Sequence, residues 1–273
     1  NTIMSPDDAP SLSSFQKPDW SKVISQDIPV VSLKDMPDVW EDTKTAEPEN
    51  LMIVGDFTLE TKTVDNRQII ALTGSNEKTR ALMCDLKGED AIAISETDKD
   101  LNIAIADGNS TTVAGRAAAI EVAKFAIDSL NSASSVPDIN LIKSAYLHLQ
   151  KTDMVAAANA RIKKLEGFKS MSPQDSLRGY LTDTLRKGAV AASMLLVAQL
   201  DKTSNLLSFV IRGDCIMTII KADGTTEEYS GPESPLAYSS AEFAQNGEVC
   251  MQIQLEPGDT FIAHSDGTTK IPG

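Results

Sequence analysis

The chain has 273 residues, with 25 lysines and arginines set against 39 aspartates and glutamates, a formal net charge of −14. No basic stripe interrupts this acidity, which excludes a phosphate-backbone binder and with it a nucleic-acid partner. The three cysteines (Cys84, Cys215 and Cys250) are odd in number and lack metal-type spacing, so no disulfide framework is expected and a reducing, cytoplasmic location is.

Residues 1–50 are rich in Pro, Ser and Asp and show little periodicity, yet they hold both tryptophans, Trp20 and Trp40. A disordered tail rarely spends its aromatics this way. The expectation is an extended segment, flexible at its start, that packs on the domain through the two rings. No signal peptide is visible. A regular domain is expected over 51–273. "LMIVGDFTLET" and "RQIIALTG" read as strands, as do "DAIAISET" and "LNIAIAD", with "TDKD" (97–100) as the turn between the last two. The last of these runs ends in Asp107-Gly108. A turn alone would explain that dipeptide, and a chemical role is the competing reading.

Val113, Ala117, Ile120, Phe125, Ile127 and Leu130 then fall largely on one face of a first helix. Asp138 can cap a second, carrying Leu141, Ile142, Ala145 and Leu149 and, further on, 154–165. Ser172-Pro173 opens a third, which ends near Lys187-Gly188. Strands return with "AVAASMLLVAQLD", whose apolar run is too short to span a bilayer. After it come "NLLSFVIRGD", "CIMTIIKADGTTEEYS" with a hairpin at Asp223-Gly224, "VCMQIQLEPGD" and "TFIAHSDG". Strands, then helices, then strands is not the alternation of a parallel sheet. It predicts antiparallel sheets with helical hairpins packed on them, an α+β protein.

Four acids stand where regular strands begin or end: Asp90, Asp107, Asp214 and Asp266. Singly, each reads as a turn residue or a strand cap. Together, carboxylates on one sheet rim repel one another and call for a cation or a proton. Hard divalent ions take such oxygens, and a glycine after Asp107 lets its carbonyl come close enough to join them. Of the two histidines, His148 reads as a helix-surface residue and His264 as a strand residue, structural more often than not.

The order and contexts of five blocks resemble the metal-dependent protein phosphatases, the type-2C serine/threonine family. These are "GEDAIAI" (88–94), "IAIADGNSTTVAGRAAAIEVAKF" (103–125), "GAVAASMLLVAQL" (188–200), "FVIRGDCIMTIIKADGTTEEYS" (209–230) and "LEPGDTFIAHSDGTTK" (255–270). The resemblance implies a four-layer α-β-β-α sandwich, two antiparallel sheets flanked by helical pairs, with metals in a cleft at one edge. It implies that Asp107 bridges two Mn²⁺ or Mg²⁺ ions, with the Gly108 carbonyl on one and Asp266 on the other. Glu89 and Asp90 would hold metal-bound waters, and Asp214 a third, looser ion. A bridging hydroxide, not a side chain, would be the nucleophile in hydrolysis of phosphomonoesters.

The chain departs from the family pattern in four places. The Arg expected to grip phosphate is Asp85, for which Lys87 would substitute as a point charge. A His found in some relatives is Asn109. Two expected glycines are Ser110 and Thr111, and a further metal-binding Asp is expected beyond Gly273. Asp85 motivates the alternative of a catalytically inactive pseudophosphatase kept as a binding or regulatory module. The expected partner is therefore a phosphoprotein substrate or a regulatory protein.

Overall fold

The computed structural model describes residues 58–64, 67–73, 89–132, 136–166, 172–232, 234–238, 243 and 247–266, with the backbone alone for 58–64, 67–73, 164–166 and 172–177. Trp20, Trp40, Cys84, Asp85, Lys87 and Gly267 lie outside them. In chain order the elements are β1 (Thr58–Val64), β2 (Arg67–Thr73), β3 (Ala91–Glu96), β4 (Asp100–Gly108), α1 (Gly115–Ser132), α2 (Ile139–Lys151), α3 (Met154–Glu166) and α4 (Ser172–Arg186). Then follow β5 (Ala192–Asp201), β6 (Leu206–Arg212), β7 (Ile216–Ile220), β8 (Thr226–Ser230), β9 (Leu236–Ala237), β10 (Val249–Gln254) and β11 (Thr260–His264).

The large sheet runs β10-β6-β5-β4-β3, with the short β9 also on β5; the small sheet runs β11-β7-β8, and β1 and β2 form a separate hairpin. Every pairing is antiparallel, so the α+β class expected from the element order is what the chain adopts. The β7–β8 connection is the expected hairpin, with an Asp223 carboxylate oxygen accepting from the Thr225 amide at 2.8 Å. The two-residue β9 carried no sequence signal, being too short for any periodicity.

Burial explains the strand patterns. Edge strand β3 alternates, while β4 and β5 are buried almost throughout, as strands covered on both faces must be. On one face of the large sheet, Ala104, Ala106, Leu195 and Val197 meet α1 through Ala118, Ala119, Val122 and Ala126, and α2, α3 and α4 add Ile142, Ala158 and Leu181 to the same core. Alanines on both sides let the helix sit close to the sheet. On the other face, Ile103, Ile105, Leu196, Phe209 and Ile211 pack against Cys215, Met217 and Ile219 of the small sheet. Each large side chain buried here contributes about 1.5–3 kcal/mol.

A polar row, buried from Ser95 to Ser208 and exposed at Gln252, crosses the large sheet. Ser95 pairs with Asn102, Asn102 with Gln199, Gln199 with Ser208, and Ser208 with Gln252. Gln199 Nε2 donates to the Asn102 side-chain Oδ1 at 3.0 Å and Gln252 Nε2 to the Ser208 hydroxyl at 3.3 Å. Ser95 and Asn102 both donate to Asn131 of α1, at 2.7 and 3.1 Å.

The expected second helix is two. Thr152 leaves the helix in an extended conformation, closing α2. Asp153 then accepts from the Ala156 amide at 2.9 Å and opens α3. Asp138 caps α2 as expected, accepting from Leu141 at 2.9 Å. His148 is more than a surface residue: its ring stacks on Phe125 at 4.7 Å and its Nε2 meets Glu121 at 3.1 Å, clipping α2 to α1.

Candidate functional site

Strand register assembles the acids. Ala91 pairs with Ala106, so Asp90 and Asp107, one residue further along each strand, face one another at one end of the large sheet. Ile216 pairs with His264 in the small sheet, so Asp214 and Asp266, each two residues beyond, emerge together. A hydrogen bond joins the two ends: the Ser265 hydroxyl donates to an Asp90 carboxylate oxygen at 2.8 Å. Asp107-Gly108 is not a turn. Both residues lie inside β4, opposite Met194 and Ser193.

The backbone there admits no side chain at position 108. A Cβ on Gly108 would stand 2.4 Å from the Glu89 carbonyl oxygen and 2.8 Å from the Gly115 carbonyl. Gly213 aims Asp214 from a left-handed conformation (φ +92°), with Met194 Cγ 2.4 Å from where its Cβ would be. Beyond Gly108, Asn109 holds the loop by accepting from the Thr111 amide and hydroxyl at 2.9 and 2.7 Å. The Val113 and Ala114 amides then zip onto the Ala189 and Val190 carbonyls at 3.2 and 2.8 Å.

Electrostatics report how closely the acids gather. Burial above all, then the charges of Asp90, Asp266, Asp214 and Glu89, push the Asp107 carboxyl from its ordinary 3.8 up to about 9. Asp90 is also raised by burial, against the lowering effect of hydrogen bonds from Ser265 and Asp107. A side-chain hydrogen bond joins the Asp107 and Asp90 carboxyl groups. Among the described residues, no three acidic, His or Cys side chains close on a common point as the ligands of an ion would. The chemistry of the donors nevertheless suits a hard divalent cation: carboxylate oxygens drawn from both sheets, beside a backbone segment too tight for any residue but glycine. Buried like charges need a proton or a cation.

Glu89, Asp90, Asp107, Gly108, Asp214 and Asp266 are thus brought to one rim. His264 turns to the Ser265 carbonyl, 2.9 Å from its Nδ1. Sequence reasoning missed two contributors. Ser265 stood inside a quoted motif without a role of its own, and its neighbour Asp266 was the available signal. Arg161, in "ANARIKKLEG", drew no reading from the sequence; it is buried, donating to the Val113 carbonyl at 2.8 Å and pairing with Glu89 at 3.3 Å.

Cys215 lies beneath the acids. Burial first, then Asp107, Asp90 and Asp214, push its thiol well above the usual range, while Cys250 is exposed. In a Cys84→Ser background, Ellman's reagent is expected to label one thiol in the native protein and both in denaturant. Native labelling of Cys215 at the rate of Cys250 would show that the sheets do not seal over it.

No family model matches the chain, and no curated protein does. Among solved structures, it is similar to RsbX in complex with magnesium (11% identity, 81% of each chain covered, TM-score 0.46). It is also similar to the PP2C phosphatase domain of SpoIIE from Bacillus subtilis (16% identity, 68% of this chain and 44% of that one, TM-score 0.43). A third is the SiaA-PP2C domain of Pseudomonas aeruginosa (13% identity, 66% and 56%, TM-score 0.39). No helix among the described residues is long and apolar enough to cross a membrane.

Proposed function

We propose that the chain is a phosphatase dependent on divalent cations, Mn²⁺ or Mg²⁺, that hydrolyses phosphoserine or phosphothreonine in proteins. One observation supports the reading: Asp90 and Asp107 of the large sheet and Asp214 and Asp266 at the end of the small one gather at one half-buried rim, where burial first and their mutual repulsion next push the Asp107 carboxyl up to about 9. Asp107, the Gly108 carbonyl, Asp266 and Asp90 would hold two ions, Asp214 would reach a third, and Glu89 would sit behind them. When bound, the cations supply an activated water and neutralise charge on the phosphoryl group.

The chain's own residues prepare the site. Ser265 orients Asp90 through its hydroxyl, and Asn109 fixes the loop after Gly108. Cys215 is buried and its thiol is raised, so a thiolate nucleophile is not available here.

The test uses the full-length gene product with a phosphoserine peptide and Mn²⁺, with and without chelator. Phosphate release that chelator abolishes is the expected result. No release in either condition, together with flat calorimetric titration by Mn²⁺, would remove the enzyme and leave the pseudophosphatase.

A further inference from the structure

A cation with almost no exposed surface stands behind the acidic rim. The Arg161 side chain is 0% exposed and that of Glu89 17%. Removing a guanidinium from water costs several kcal/mol, so its partners must matter to the fold or to the site. Two of them belong to the segments that flank Gly108. Glu89 precedes Asp90, and its own carbonyl is the atom nearest a Cβ at position 108; Val113 precedes Gly115, whose carbonyl is the next nearest. Nη1 of Arg161 contacts both segments, at 3.3 Å to Glu89 Oε1 and 2.8 Å to the Val113 carbonyl oxygen.

We infer that Arg161 of α3 is a positioning residue for cation binding, acting through Glu89. The inference rests on the proposed cation site. The guanidinium brackets the backbone around Gly108 from the helical layer and neutralises the acid adjoining Asp90. This fixes where Asp90 stands opposite Asp107. Arg161 does not grip substrate phosphate, because it is sealed from solvent.

Outer partners of metal ligands typically change metal affinity by about 10–100-fold. Calorimetric titration of the whole chain with Mn²⁺ is therefore expected to show Arg161→Met binding about tenfold more weakly. Arg161→Lys should recover part of the loss, since an ammonium can keep one of the two contacts. Glu89→Gln should weaken binding to a similar degree, and Arg161→Met on top of Glu89→Gln should add little. If Arg161→Met does not fold, Arg161→Lys in the wild-type and Glu89→Gln backgrounds decides the matter by the same non-additivity. Wild-type affinity in a folded Arg161 variant overturns the inference, and so do losses that simply multiply in the double variant. Absence of Mn²⁺ binding by the wild type is a different failure, and it removes the cation site itself.

Discussion

In chelator at pH 8, Asp107→Asn is expected to melt at a higher temperature than the wild type. The substitution keeps the shape and retains a hydrogen-bond donor toward Asp90, yet it removes the group that four neighbouring acids and burial disfavour as an anion. Each kcal/mol of relief shifts the midpoint by roughly 2–4 °C in a chain of this size, so a rise of several degrees is expected. Saturating Mn²⁺ should reverse the order. A ligand at one hundred times its dissociation constant stabilises by about 2.7 kcal/mol, and only the wild type should collect that. Phosphomonoester hydrolysis should fall at least about 100-fold in the variant, as when a principal electrostatic group is lost. A variant less stable than the wild type in chelator would mean that Asp107 sits in no repulsive cluster. Calorimetric melting with and without Mn²⁺ checks both halves.

Metal-free stability should fall as the pH rises from about 5 to 9. The folded chain keeps the Asp107 proton up to about pH 9, while the unfolded chain releases it near 3.8. The contribution is therefore complete below the lower value and is lost as pH climbs through the upper one, by up to about 1.4 kcal/mol per pH unit for a single proton. Asp90, raised as well, acts in the same direction. Mg²⁺ replaces the proton, so its binding should tighten with pH and flatten the decline. Melting curves at five pH values, in chelator and in Mg²⁺, measure this. Coincident slopes in the two series would show that no cation competes for the proton on Asp107.

Much of this architecture was legible in the sequence, for physical reasons that differ by element. Long strands with apolar runs, such as β4 and β5, announce themselves because their burial on two faces leaves no room for polar residues. Asp138 marks a helix start because capping chemistry is local. The division between α2 and α3 was not read. The apolar stripe continues past Thr152-Asp153, and only the backbone shows that the pair ends one helix and caps the next. Asp107 was ambiguous for a related reason, since Asp-Gly serves equally at a turn and at a strand end, and only its pairing with Met194 decides. Arg161 was illegible because its partners, Glu89 and Val113, lie 72 and 48 residues away. Neither local propensity nor spacing carries information over such distances.

The polar row through Ser95, Asn102, Gln199, Ser208 and Gln252 acts as a key that indexes the five longer strands of the large sheet against one another. A slip of one residue would turn each core face outward. A slip of two keeps the faces but sets the Asn102 amide opposite Val197 or Asp201 instead of Gln199, and a buried amide without its partner costs about 1–3 kcal/mol. The same indexing sets Asp90 opposite Asp107 at the far end of β4. Side chains with no chemistry of their own thus determine, at a distance, which two carboxyl groups meet.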